Sequence, residues 1–178
     1  MIENNERGLT VIFTGNGKGK TSAGMGVVFR ALGHGYHCVV IQFIKANRET
    51  GELKLAERLA PQLAFVQTGK GFTWLKEHAA EEHRIAAQEG VALAKAALEK
   101  GECKVLLLDE ILYALGKDLV SFDDIKALIA AKPAATHLIL TGRGAPPELI
   151  ALADMVSDID SVKHPYQAGI PAQKGLDF

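Results

Sequence analysis

Apolar residues fall in short unbroken runs that alternate with longer stretches of helical period. The β-branched runs at Thr10–Phe13, Cys38–Phe43, Ala64–Gln67, Val105–Leu108 and His137–Leu140 predict strands. Helical spacing predicts helices over Thr21–Leu32, Glu52–Leu59, Glu77–Glu99, Phe122–Ala131 and Pro147–Ala153. The punctuation agrees. Gly33 and Gly35 close the first helix, Gly101 closes the third and Pro133 follows the fourth. Ser121 with Asp124 three residues on has the form of a capping box, with Asp in place of the usual Glu. The strands are apolar throughout rather than alternating, so both faces of their sheet are expected to be covered. Strand–helix alternation of this kind predicts an α/β fold of three layers, a mostly parallel sheet flanked by helices through right-handed crossovers. No repeat, low-complexity tract or linker interrupts the pattern, and residues 1–178 read as a single domain.

In such a sheet, ligands collect beyond the carboxyl ends of the strands. The first strand is followed by Thr14-Gly15-Asn16-Gly17-Lys18-Gly19-Lys20-Thr21-Ser22. A strand, a glycine-rich turn and a helix start in that order form a phosphate cradle. The glycines let the backbone curl until its N–H groups point inward, and the helix start adds unpaired donors and the positive end of its dipole. Lys20 is placed to reach terminal phosphates, and the Thr21 hydroxyl to ligate magnesium. The motif departs from the P-loop pattern at one place, where Thr14 stands for an expected glycine. Nucleotide binding follows from these residues; the fate of the nucleotide does not, since P-loops serve kinases, ATPases, switches and transferases.

The fourth strand ends in Asp109-Glu110, as a Walker B element does, where acids hold magnesium directly or through water. Spacing does not say which acid touches the metal. The fifth is followed by Thr141-Gly142-Arg143-Gly144, a turn that presents one guanidinium either to phosphate or to solvent. Arg30, on the first helix, is a further candidate for the nucleotide, although its position better suits a solvated helix residue. The third strand leads into Gly69-Lys70-Gly71-Phe72-Thr73-Trp74, which carries the only tryptophan. This loop reads either as a lid anchoring the next helix or as an aromatic wall for a large flat ligand. The tail from Val162 to Phe178 has no clear period, and reads as a loose end or as a cover for a ligand.

Charge and composition narrow the classes. Lys plus Arg (20) and Asp plus Glu (21) nearly cancel, so the overall basic field of a nucleic-acid binder is missing. No apolar run reaches the length of a membrane span, and the polar start Met1–Arg7 is wrong for a secretory signal. Cys38 and Cys103 fall in or beside buried strands, as small core residues of a reducing compartment do, and a cytoplasmic location is expected. The six histidines show no metal-ligand spacing, and no Ser–His–Asp or Cys–His arrangement is apparent.

From about Arg7 to Phe178 the chain resembles the P-loop corrinoid adenosyltransferases. The resemblance rests on Phe13–Thr21, Gly33-His34-Gly35, Gln42-Phe43-Ile44-Lys45, Gly71-Phe72-Thr73-Trp74, Leu108-Asp109-Glu110, Thr141–Gly144, and Val162-Lys163-His164 with Ala168-Gly169. The Thr14 departure is shared with that family. The resemblance implies that a corrinoid reduced to Co(I) attacks the 5′ carbon of ATP and expels triphosphate, with ATP reversed in the cradle relative to other P-loop enzymes. It implies that Gly15, Asn16, Gly17, Lys18, Gly19, Lys20, Thr21 and Ser22 hold the phosphates, with Lys20 catalytic. Thr21 and Glu110, beside Asp109, would ligate Mg2+. Phe72 and Trp74 would pack on the corrinoid's lower face, excluding the axial ligand so that a flavoprotein such as flavodoxin can deliver the electron. A homodimer is implied. So few residues precede the matched region that the covering N-terminal helix of longer members is not expected. Two other readings of the P-loop stand beside this one: a small kinase or NTPase releasing ADP, and a carrier that binds nucleotide or corrinoid without turnover.

Overall fold

The computed structural model describes residues 7–45, 50–71 and 79–178. Six parallel strands form one sheet: β1 (Thr10–Thr14), β2 (Cys38–Gln42), β3 (Leu63–Gln67), β4 (Val105–Asp109), β5 (His137–Thr141) and β6 (Met155–Asp158). Their spatial order is β3-β2-β4-β5-β1-β6. The helices between them are α1 (Lys20–Gly33), α2 (Gly51–Leu59), α3 (Ala80–Lys100), α4 (Ile111–Leu115), α5 (Phe122–Ala131) and α6 (Pro147–Ile150).

Each central strand feeds two cores. Val11, Phe13, Val105, Leu107 and Ile139 point to the side of α1 and α2, where Val28, Ala31 and Ala56 meet them. Ile12, Leu106, Leu108, Leu138 and Leu140 point to the other side, against Ala87, Ala94 and Leu98 of α3 and Ile125 and Leu128 of α5. This period of two, buried on both faces, is why the strands read as continuous apolar runs. The α3 face is built from small residues, so the long helix lies close to the sheet. A Cβ on Gly90 would come within 2.8 Å of the Phe43 ring.

The expected helix stops are present. Gly101 takes a left-handed conformation (φ 65°) and its N–H bonds the Leu98 carbonyl, closing α3. Ser121 and Asp124 form the full capping box of α5. Three elements were not foreseen, one of them a 3-10 turn at Pro165–Ala168 in the tail. The short α4 follows the acid pair directly, and β6 is an edge strand with no buried residue. The start of the third predicted helix, Glu77 and His78, lies outside the described residues, and α3 is described from Ala80. The predicted helix over Pro147–Ala153 holds only to Ile150.

Candidate active site

β1, β4 and β5 lie side by side, so the residues at their carboxyl ends meet at the start of α1. A cleft of about 320 Å³ opens there, lined by Gly17–Ser22, Lys45, Glu52, Glu110, Tyr113, Arg143, His164, Leu176 and Asp177.

The phosphate loop is held from behind by the chain that follows β6. Ile159 N–H bonds the Thr14 carbonyl at 2.9 Å, and Gly17 N–H bonds the Ile159 carbonyl at 2.7 Å. A Cβ on Gly15 would strike Asp158, and one on Gly17 the Asp160 carbonyl. These glycines are therefore required by close backbone approach. The Gly17 N–H is engaged by Ile159 and does not join the inward-facing donors the sequence led us to expect. Gly19, by contrast, has open space but a φ of 124° that L side chains rarely adopt. Thr14 is not in the positive-φ region and has no need to be glycine. Its hydroxyl oxygen accepts from Ala145 N–H at 3.3 Å, tying the loop to the turn after β5.

Behind the loop lies a closed polar lattice. Asp109 is fully buried; its Oδ1 accepts from the Thr21 hydroxyl at 2.8 Å and the Thr141 hydroxyl at 2.7 Å, and its Oδ2 from the Gln42 amide at 2.9 Å. Gln67 Nε2 in turn donates to Gln42 Oε1 at 2.9 Å. Every polar strand end thus finds a partner, as burial demands. Asp109 does not line the cleft; it accepts from Thr21, and Glu110 is the acid of the pair that faces the cavity. The chain turns there through a left-handed residue, Glu110 itself (φ 63°), whose N–H is held by Thr141 Oγ1 at 3.0 Å.

Lys20 Nζ donates to the Gly17 carbonyl at 2.6 Å and is buried. Burial pushes its pKa below the usual ammonium value, and Arg143 adds to this while Glu110, Asp109 and Asp158 work the other way. Burial, reinforced by Asp109, pushes the Glu110 carboxyl above the usual carboxylate range, with Lys20, Lys45 and Arg143 opposing. Both charged groups are under-solvated, so a bound anion would favour the Lys20 ammonium and a bound cation the Glu110 carboxylate. Arg143 reaches the mouth of the loop, its Nη2 lying 3.5 Å from the Asn16 carbonyl.

The tail closes over one side. Asp177 accepts from Lys18 Nζ at 2.5 Å and from Gln173 N–H at 2.7 Å, bringing Leu176 and Asp177 into the cleft wall beside His164. Of the two readings left open for this segment, the covering one describes its position. Arg30 is the exception among the expected nucleotide residues. It sits in the last turn of α1, about 15 Å along the helix axis from Lys20. There it lines a separate hollow with His34, Tyr36, Lys104 and His137, and the fold does not bring it to the phosphate loop. Phe72 and Trp74 lie outside the described residues. The loop leading to them is fixed by a 2.9 Å bond from Gly71 N–H to the Ile44 carbonyl, beyond the carboxyl ends of β3 and β2. Glu52 and Tyr113 were not singled out from sequence, and Gln42 and Lys45 entered only within the string Gln42-Phe43-Ile44-Lys45, with no role of their own. The physical signal for Gln42 was a polar residue ending an apolar strand, the same signal that drew attention to Asp109.

The fold is that of a P-loop NTPase. A KaiC-like protein, PH0186 from Pyrococcus horikoshii, superposes with a TM-score of 0.59 at 17% identity, over 86% of this chain and 73% of that one. The sequence relatives are nearer. A corrinoid adenosyltransferase of Pseudomonas aeruginosa is 41% identical over 174 residues, 97% of this chain and 85% of the relative. One from a Sinorhizobium species is 39% identical over 175 residues, 97% of this chain and 81% of the relative. The sequence profile of the family described as ATP:corrinoid adenosyltransferase BtuR/CobO/CobP matches residues 6–178. With the cradle, the acid lattice and the full-length match together, the chain belongs to the ATP:corrinoid adenosyltransferase family and is a transferase enzyme.

Proposed function

We propose that the cleft clamps the triphosphate of MgATP as a leaving group while the 5′-deoxyadenosyl unit passes to the Co(I) centre of a reduced corrinoid. The cobalt lone pair forms the Co–C5′ bond as C5′–O5′ breaks. The electrons of that bond leave on triphosphate, and cobalt passes formally from Co(I) to Co(III). The protein's work is to neutralise the leaving group and align C5′.

The observation that carries this reading is the juxtaposition of Lys20 and Glu110, whose charged forms are both destabilised in the same cleft. Triphosphate would draw Lys18, Lys20, Arg143 and the free backbone donors from Asn16 to Ser22. Magnesium takes oxygen ligands. The Thr21 hydroxyl gives its hydrogen to Asp109, which leaves its lone pairs for a cation, and Glu110 offers the anionic ligand. The ion would supply charge neutralisation of the departing phosphates.

Phe72 and Trp74 complete the reading as an apolar wall beneath the corrinoid. By excluding the axial donor they would ease reduction of Co(II) by a flavoprotein such as flavodoxin. A homodimer in the cytoplasm is the assembly and location we assign, the second favoured by free, buried Cys38 and Cys103. Among the described residues no helix is long and apolar enough to cross a membrane.

The test is an anaerobic incubation with MgATP and chemically reduced corrinoid. Triphosphate and a light-sensitive alkylcorrinoid are expected in equal amounts. ADP, or a corrinoid left unalkylated, would overturn the proposal.

A further inference from the structure

Among the described residues, Glu52 presents a carboxylate oxygen with no hydrogen-bond partner. It stands in the first turn of α2, a helix whose start is fixed by Thr50 accepting from Leu53 N–H at 3.3 Å. Acids favour such positions because of the helix dipole, but ordinarily with both oxygens in water. Here Oε2 is enclosed and, among the described residues, hydrogen-bonded to none. Lys45 Nζ lies 4.0 Å from Oε1, beyond hydrogen-bond reach. Glu52 also lines the cleft that holds the phosphate loop.

A buried acceptor without a donor costs free energy until something supplies one. Phosphate oxygens are acceptors themselves and would be repelled. The donors of an adenosine nucleotide are the ribose hydroxyls and the 6-amino group. A flat base is better matched to Tyr113 and Leu176 on the cleft wall than to the charged Lys45–Glu52 side.

We infer that Glu52 receives the 2′ and 3′ hydroxyls of ATP. The inference rests on the adenosyl-transfer reading above and adds a second anchor to it. With triphosphate held on one side of C5′ and the ribose diol on the other, the C5′–O5′ bond is fixed at both ends. The carbon between them stays open to attack.

The experiment compares ATP with 2′-deoxyATP and 3′-deoxyATP, by anaerobic turnover and by equilibrium titration with magnesium and no corrinoid. The unaltered enzyme should favour ATP over at least one analogue by about 10- to 100-fold, as expected for a hydrogen bond to a charged group. Glu52→Ala should shrink that preference to within about threefold in both assays, and Glu52→Gln, which keeps an acceptor, should restore part of it. The melting temperature reports folding separately.

A preference that Glu52→Ala leaves intact would overturn the inference. So would a Glu52→Ala variant whose only change is a higher magnesium requirement, which would make Glu52 a cation ligand. If the unaltered enzyme discriminates in the titration yet alkylates no corrinoid, the ribose site stands and the transfer reading fails.

Discussion

The Thr21 hydroxyl lies 2.8 Å from Asp109 Oδ1, joining residues 88 positions apart in sequence. That bond fixes which way the Thr21 lone pairs face, so Asp109 governs the cleft-facing side of the loop without entering the cleft.

Asp109→Asn should therefore act through Thr21. The amide NH2 replaces one of the two carboxylate oxygens, so either Thr21 and Thr141 or Gln42 must lose the acceptor, and the shared lattice must rearrange around Thr21. We expect magnesium affinity or turnover to fall about 10- to 100-fold, the range for residues that orient a ligand. Asp109→Ala removes the acceptor altogether and should cost about 2–4 kcal/mol, read as a shift of the urea midpoint. Unchanged magnesium dependence in the Asn variant would contradict this.

Thr14 supports the loop by another route. Thr14→Gly restores the residue most P-loops carry, yet it removes the acceptor for Ala145 N–H and adds backbone freedom in a buried strand. A loss of about 1–2 kcal/mol in stability is expected from chemical denaturation.

Lys18 and Asp177 form an exposed pair at the entrance, where triphosphate must compete with the Asp177 carboxylate. Asp177→Asn should tighten MgATP binding by about two- to fivefold at low salt, the gain fading as ionic strength rises. A titration at two salt concentrations decides it, and weaker binding in the variant would mean the tail contributes to the nucleotide site instead.

Glu110 gives a pH dependence of defined sign. Its carboxyl is held above the usual carboxylate range by burial and by Asp109. The folded chain thus keeps a proton that the unfolded chain has released. The resulting stability is complete below about pH 4, the ordinary glutamate value, and is lost as pH rises through the folded value. In magnesium-free protein, Glu110→Gln should flatten this decline. Magnesium, which favours the ionised form, should be bound more weakly as pH falls through the same window.

The sequence carried most of the sheet and the order of its site loops, because buried parallel strands leave dense apolar runs. It missed β6, whose Met155-Val156-Ser157-Asp158 is an edge strand with only Ser157 partly covered. That omission hid the reason for Gly15 and Gly17, which accommodate the chain leaving β6 rather than a ligand alone. Arg30 failed for a geometric reason: a position on the loop helix is no guarantee of nearness to the loop. The separate duties of Asp109 and Glu110 were beyond spacing, since a single left-handed residue turns one acid inward and the other out.

The aromatic loop allows a test that separates chemistry from reduction. Trp74→Ala should lose far more activity with Co(II)-corrinoid and a flavoprotein donor than with preformed Co(I)-corrinoid. Equal losses in the two assays would make Trp74 a support for the fold only.

Adenosyl transfer to cobalt requires cleavage of the C5′–O5′ bond, and an oxygen label reads that cleavage directly. ATP carrying 18O at the 5′ bridging position is incubated anaerobically with magnesium, reduced corrinoid and enzyme, and the products are weighed by mass spectrometry. The label is expected in triphosphate, with none in the adenosyl product. Label retained in ADP would show phosphorus–oxygen cleavage and contradict that expectation.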